Sequence, residues 1–364
     1  MKIAIASTGL GRILRGFESF AESLFQAFRR YAPDTDVMLF QGGGKSGEHR
    51  RVISNFHRSD RPARWMGYDK GNLLEKRSFA IALYPLLRKG EFDIVHYNEL
   101  VMGSGLFHLR RLLGGDFKLL YCNGAPSPPV HYHHRCDYAQ VLTGPAFEEA
   151  QSFGISRNRL FQIPYGIDAE VFSPESKRAR SKIRKQLNIP LDAKVILTVA
   201  ALKREHKRLD CLIKELDNFN RPIWLVAAGQ RTDDTHVLEK MAEKHLPGRW
   251  RFVSWPHDKI AGLYGAADIF VLTSLSEAFG LVTVEAMLTG LPVILHNGPV
   301  FKWITEGTNG VLIDMAIEGN LRDALERLFS STENFNSREI SAERFSWPTL
   351  IPEYVRMYEQ VARA

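Results

Sequence analysis

Short apolar runs rich in β-branched residues recur along the chain, and stretches with helical spacing separate them. In the first half, Lys2–Ala6, Val37–Phe40, Ile94–His96, Lys118–Cys122, Ala139–Leu142 and Arg159–Pro164 read as strands. Between the first two, Phe20, Ala21, Leu24, Phe25 and Phe28 fall on one face of a helix over Glu18–Arg29. The second half repeats the alternation, with strands at Lys194–Ala200, Ile223–Ala228, Arg251–Val253, Ile269–Leu272 and Val293–Leu295 and a helix at Leu209–Asn218. Apolar strands alternating with helices imply parallel sheets covered on both faces. The chain therefore reads as α/β, with two doubly wound Rossmann-like domains. Residues 1–165 would form the first, 166–190 a basic connector and 191–344 the second. A helix in the tail, 345–364, either packs back on the first domain or docks as a plain C-terminal helix.

At 364 residues the chain suits two hydrophobic cores. No run approaches 18 apolar residues, and the N-terminus passes straight into a strand and a Gly-rich turn, unlike a signal peptide. Three cysteines, Cys122, Cys136 and Cys211, form no even framework, so free thiols in a reducing compartment are expected. These features predict a cytoplasmic location. Charge adds the option of peripheral contact with the inner face of a membrane. Residues 1–160 carry 22 Lys and Arg against 15 Asp and Glu, whereas residues 161–364 carry 26 of each. The whole excess thus lies in the first half, where it suits an anionic surface or acceptor, or equally a solvated rim.

The most specific run is SLSEAFGLVTVEAMLTGLPVI, beginning at Ser274. A strand ends before it, and Leu281–Thr289 reads as a helix closed by Gly290 and Pro292. A helix N-terminus offers unpaired N–H groups to a diphosphate, and Gly280 permits close backbone approach. Glu277 before the helix and Glu285 inside it can flank one ligand, and carboxylates accept hydrogen bonds from sugar hydroxyls. A second cluster, VAALKREHKRLD over Val199–Asp210, follows a strand and brings Lys203, Arg204 and Lys207 near a helix start.

The Glu-x7-Glu pattern with Phe-Gly after the first Glu resembles the donor site of retaining GT-B glycosyltransferases, especially glycosyltransferase family 4. The resemblance implies a GT-B fold, its two domains facing a central cleft, with the nucleotide sugar on the second domain and the acceptor on the first. Glu277 would hold the transferred sugar and Glu285 the ribose diol. Phe279, Gly280 and Leu281 would offer amides to the phosphates, and Lys207 would neutralise them. The family's Arg falls on Ala201, so Lys203 or Arg204 would substitute. Gly16-Phe17-Glu18 resembles the family's G-G-x-E loop. Gly229 and Trp255 stand at strand ends where the nucleotide is expected, Trp255 either stacking on the base or packing in the core. Asn123 occupies the place of a His in many relatives and cannot carry a proton. His131 or His133 would have to fold in to supply such a role.

The partners implied are a nucleoside-diphosphate sugar, as substrate, and a glycan, lipid-linked or small-molecule acceptor, with no nucleic acid. No metal and no other cofactor is expected. The cluster His131–Cys136 has ligand-type residues but no second half at a recognised spacing. Gln41–Ser46 lacks the first Gly of a triphosphate loop and reads as a plain loop. The alternatives are a nucleotide-sugar hydrolase or epimerase on the same fold, or a non-catalytic GT-B module binding an anionic surface or nucleic acid.

Overall fold

The structure is a computed structural model that describes all residues except 14–15, 125–133, 218, 220–221, 257–258 and 331–335. It divides into two compact units, Met1–Gly166 with Trp347–Ala364, and Ile167–Ser346. Among the described residues no helix is long and apolar enough to cross a membrane.

The strands of unit 1 are β1 (Lys2–Ser7), β2 (Asp36–Gln41), β3 (Arg50–Val52), β4 (Ile94–Tyr97), β5 (Lys118–Asn123), β6 (Tyr138–Val141) and β7 (Leu160–Gln162). Its helices are α1 (Gly16–Tyr31), α2 (Arg61–Trp65), α3 (Tyr68–Lys89), α4 (Leu100–Leu113) and α5 (Gly144–Ser152). The sheet order is β3-β2-β1-β4-β5-β6-β7, and every pairing is parallel. Consecutive strands move outward in both directions from β1, which places a topological switch point between β1 and β4. The central strands are buried on both faces, as their unbroken apolar runs require. Helix α1 buries Phe20, Ala21, Leu24, Phe25 and Phe28 as one stripe.

Unit 2 comprises α6 (Lys177–Gln186), β8 (Lys194–Val199), α7 (Leu209–Glu215), β9 (Ile223–Ala228), α8 (Thr235–His245), β10 (Trp250–Val253), α9 (Ala261–Ala266), β11 (Ile269–Leu272), α10 (Leu281–Leu288), β12 (Val293–His296), α11 (Pro299–Ile304), β13 (Val311–Ile313), α12 (Asn320–Ser330) and α13 (Ser337–Phe345). The strands pair in parallel in the order β10-β9-β8-β11-β12-β13, with the switch point between β8 and β11. The basic helix α6 belongs to this unit because Asp268 holds it. Arg180 and Arg184 reach that carboxylate at 2.7 and 2.8 Å, and the Val195 amide donates to it at 2.7 Å. Arg184 is 2% exposed, so its charge depends on this pairing and on three carbonyls.

The last helix, α14 (Trp347–Arg363), returns to unit 1. Tyr358 Oη lies 2.7 Å from Nδ1 of buried His96, whose pKa burial lowers to about 3, so the ring is neutral. Tyr354 accepts from Gln140 at 2.7 Å and donates to the Pro164 carbonyl at 2.9 Å. Trp347 donates to Ser23 at 2.8 Å.

Candidate functional site

A polar arrangement in unit 2 lies at its switch point, beyond the C-terminal ends of β8 and β11. The loop after β8 has two consecutive strained turns: His206 and Arg208 adopt φ of 65° and 50°, left-handed values uncommon outside glycine. Thr273, the first residue after β11, donates from Oγ1 to the Lys207 carbonyl at 2.7 Å and lies 3.1 Å from that of Arg208. That bond anchors the loop to the neighbouring strand and sets the direction of Lys207. The Lys207 ammonium meets Glu277 Oε1 at 2.5 Å, with the two side chains 20% and 14% exposed. His206 sits beside this pair. Burial lowers its pKa, opposed by the charge of Glu277 and reinforced by Lys207 and Lys203.

Glu277 is carried by the turn that enters α10. Gly280 precedes that helix at φ 75°, ψ 52°, a conformation that favours glycine. Phe279 beside it is buried edge-on against Phe345, at a centroid distance of 5.8 Å. The side chain thus secures the turn, and Leu281 begins the helix. The Thr283 amide donates to the Gly280 carbonyl at 2.8 Å, whereas the Leu281 and Val282 amides ahead of it have no preceding helical carbonyl to bond and favour negative charge. Glu285 lies in the second turn and accepts a hydrogen bond from Tyr264 of α9 at 2.6 Å. Burial pushes its carboxyl up to about 7, and the Tyr264 hydrogen bond opposes the rise.

The two candidates offered in place of Ala201 separate. Arg204 is committed to Asp234 at the head of α8 through Nε at 3.1 Å, Nη2 at 3.0 Å and its own amide at 3.0 Å. Lys203 instead contributes its charge to the His206–Lys207 neighbourhood. Gly229 follows β9, where an added Cβ would stand 1.8 Å from the Ala200 carbonyl oxygen. Its lack of a side chain is therefore explained by strand packing. Trp255 is half-buried and donates Nε1–H to the Lys259 carbonyl at 3.0 Å.

Unit 1 has its own polar cluster at the β1/β4 switch point. Glu18, in the first turn of α1 that Gly16 opens, is buried against Gly9, where a Cβ would lie 2.3 Å from Glu18 Oε1. Asn123 ends β5, buried, its Oδ1 without a hydrogen-bond partner among the described residues. Sequence reasoning missed two neighbours, Asn98 and Glu99, which follow β4. Glu99 is buried and accepts the Thr8 amide at 2.6 Å. Burial raises its pKa, the Thr8 hydrogen bonds and Lys76 lower it, and Glu18 raises it further. Among the described residues the Asn98 Oδ1 and Ser7 Oγ atoms also lack partners. Buried polar atoms of this kind are costly unless something completes them. His131 and His133 lie outside the described residues. Among the described residues no group of three or more His, Cys, Asp or Glu side chains is placed to hold a metal ion.

Comparison with known proteins accords with this architecture. Residues 179–344 match the sequence profile of the family Glycosyl transferases group 1. A D-inositol 3-phosphate glycosyltransferase of Corynebacterium urealyticum is 29% identical over 226 residues, 58% of this chain and 53% of that protein. An MMP alpha-(1->4)-mannosyltransferase of Mycolicibacterium hassiacum is 23% identical over 79% of this chain and 75% of its own length. The chain spans little more than half the length of the D-inositol 3-phosphate glycosyltransferases it matches from Corynebacterium urealyticum, C. glutamicum and C. jeikeium. Among solved structures, the sucrose-phosphate synthase of Thermosynechococcus elongatus superposes with a TM-score of 0.81 at 20% identity, over 99% of this chain and 98% of that one. The HepE protein of Anabaena, in complex with UDP-glucose, gives 0.78 at 18% identity, over 99% of both chains. The chain has the GT-B fold: two Rossmann-like units, each with a parallel sheet.

Proposed function

We propose that the chain is a retaining, metal-independent glycosyltransferase of family 4. It would move a sugar from a nucleoside-diphosphate donor to an acceptor hydroxyl of a glycan, a lipid-linked or a small molecule. The observation that carries this reading is the Lys207–Glu277 pair set at the N-terminus of α10, with Glu285 in the same helix. Solved structures of similar fold bound to UDP and UDP-glucose support a nucleotide-sugar donor.

On this reading the α10 amides and Lys207 bind the diphosphate, Glu277 fixes Lys207 and accepts from the transferred sugar, and Glu285 accepts from the ribose diol. The bond between the anomeric carbon and the phosphate oxygen breaks while the acceptor oxygen bonds to the same face. The acceptor proton passes to the departing phosphate oxygen. Charge grows on that phosphate, so a fixed ammonium and oriented amides stabilise the transition state more than the ground state. Lys203 takes the part of the second cation. Glu18, Glu99, Asn98 and Asn123 supply polar partners for an acceptor in unit 1. The protein would work in the cytoplasm.

A panel of sugar nucleotides, screened by thermal shift, tests the reading. A donor at a hundredfold over its Kd stabilises the protein by about 2.7 kcal/mol. With that donor, Lys207→Ala should lower kcat/KM about 10- to 150-fold, the worth of one charge-assisted hydrogen bond of roughly 1.5–3 kcal/mol, with the fold retained. An unchanged kcat/KM would remove Lys207 from the site. Nucleotide binding without turnover on any acceptor or water would favour the non-catalytic reading, to which Ala201 and Asn123 point.

A further inference from the structure

Arg208 breaks two local rules at once. Its φ of 50° and ψ of 39° are left-handed, at the position just before α7. That conformation is costly for a residue with a Cβ. Its Nε–H is buried and has no hydrogen-bond partner among the described residues. A buried donor left unpaired is a second cost. Strain persists only where the surroundings impose it, and such an outlier points to a role other than stability.

The other end of the guanidinium is tethered. Nη2 donates to the Met315 carbonyl at 3.1 Å. Met315 follows β13 and is buried, and its own amide donates to Nδ1 of His296, the last residue of β12, at 3.2 Å. The Asn297 amide donates to the Ile313 carbonyl at 2.7 Å, so the chain beside Met315 is pinned as well. Arg208 therefore ties the loop after β8 to a fixed point between two strand ends. Its backbone is held too: its amide donates to the Arg204 carbonyl at 2.8 Å, and its carbonyl accepts from the Cys211 amide at 3.0 Å. Lys207 stands between Arg208 and His206, both left-handed. Thr273 holds the Lys207 carbonyl from the β11 side, and Arg208 holds the next residue from the β13 side.

We infer that Arg208 is a positioning residue, whose tether to Met315 keeps the left-handed turn that aims Lys207 at Glu277 and so at the donor diphosphate. Arg208 acts through Lys207 and does not itself bind the donor. The aim at Glu277 stands on geometry alone, whereas the aim at the diphosphate rests on the transferase reading.

The test uses the full chain in two arms. Arg208→Gly removes the tether and suits the φ, so the Tm should be kept while the turn gains freedom. Arg208→Asn also tolerates left-handed values and serves as the second variant. The first arm needs no donor. In crystals of either variant, Lys207 should no longer lie within hydrogen-bond distance of Glu277, and Lys207 in its original place would overturn the inference. The second arm uses the donor found by thermal shift. Arg208→Gly should lower kcat about tenfold, the low end of the loss from one charge-assisted hydrogen bond. In a Lys207→Ala background the same substitution should cost nothing further, because the side chain it positions is gone. Additive losses would make Arg208 a ligand or a packing residue and overturn the inference. A wild-type protein that binds no donor would defeat the transferase reading, and the crystallographic arm would still decide the role of Arg208.

Discussion

Glu285 is a residue whose value to the fold and value to a ligand have opposite signs. Burial raises its carboxyl from 4.5 to about 7. A folded-state pKa above the unfolded one contributes stability that is fully present below pH 4.5 and lost as pH rises through about 7. Above pH 7 the partly buried carboxylate therefore costs the free protein stability, on the order of 1–3 kcal/mol once its partial exposure is allowed for. A ribose diol needs that ionised form as acceptor. Glu285→Gln should accordingly raise the Tm at pH 8 while weakening nucleoside diphosphate binding, both read on one protein by calorimetry. Wild-type affinity should fall as pH drops from 8 to 6, with proton release on binding near pH 6. A variant that loses both stability and affinity would mark Glu285 as a packing residue only. The spacing from Glu277 to Glu285 was legible in the sequence because one turn and one helix generate it. Tyr264, which holds Glu285, lies 21 positions away on another helix, and no local pattern singles it out. The same is true of Asp234, which draws Arg204 away, and of Glu99, which follows β4 without a motif.

Helix α10 is the element on which the site depends, and its entry rests on one backbone conformation. Gly280 has room for a side chain, the nearest atom to an added Cβ being 3.5 Å away, but its φ is 75°. Gly280→Ala should therefore cost about 1–2 kcal/mol through strain alone, and Gly280→Asn less, because Asn tolerates left-handed values. Equal losses in denaturant midpoint would show that contacts, not φ, set the cost. Because the helix amides and Lys207 are proposed to neutralise the diphosphate, turnover should survive EDTA. Loss of activity restored by a divalent ion would overturn that assignment. Most elements were readable as apolar strands and one-faced helices. The exceptions among the strands were β3 and β13, three residues each, and helices α2–α5, α8, α9 and α11–α13 were not singled out. The first reads Arg-Arg-Val on a sheet edge, so neither burial nor alternation marks it.

Across the whole molecule, the two-sheet architecture was legible because each unit repeats the same alternation of buried strand and covering helix. Its connectivity was less so. The chain leaves unit 1 at Gly166 and re-enters it at Trp347, and the contacts that re-entry makes, Tyr358 with His96 and Tyr354 with Gln140, are side-chain matches 262 and 214 positions apart. Gly166 has no side chain because the Trp347 ring occupies the space, with an added Cβ only 2.3 Å from it. A chain ending at residue 346 should keep the melting transition and nucleotide binding of unit 2. It should lose the cooperative transition of unit 1, since Phe20, Phe28 and His96 would be uncovered. An unaltered calorimetric trace would show that α14 is dispensable.

That return of α14 also dictates an order of events during synthesis. Domains fold as units while the chain emerges at about 5–20 residues per second. Unit 2 is encoded without interruption, so it has everything it needs before α14 is made. The rest of unit 1 precedes unit 2 but lacks α14 until unit 2 has been made, and it waits roughly ten seconds or more with an apolar face uncovered. The earlier of the two units is thus the later to be completed, and a ribosome stalled before α14 would carry an unfinished first unit and a finished second one.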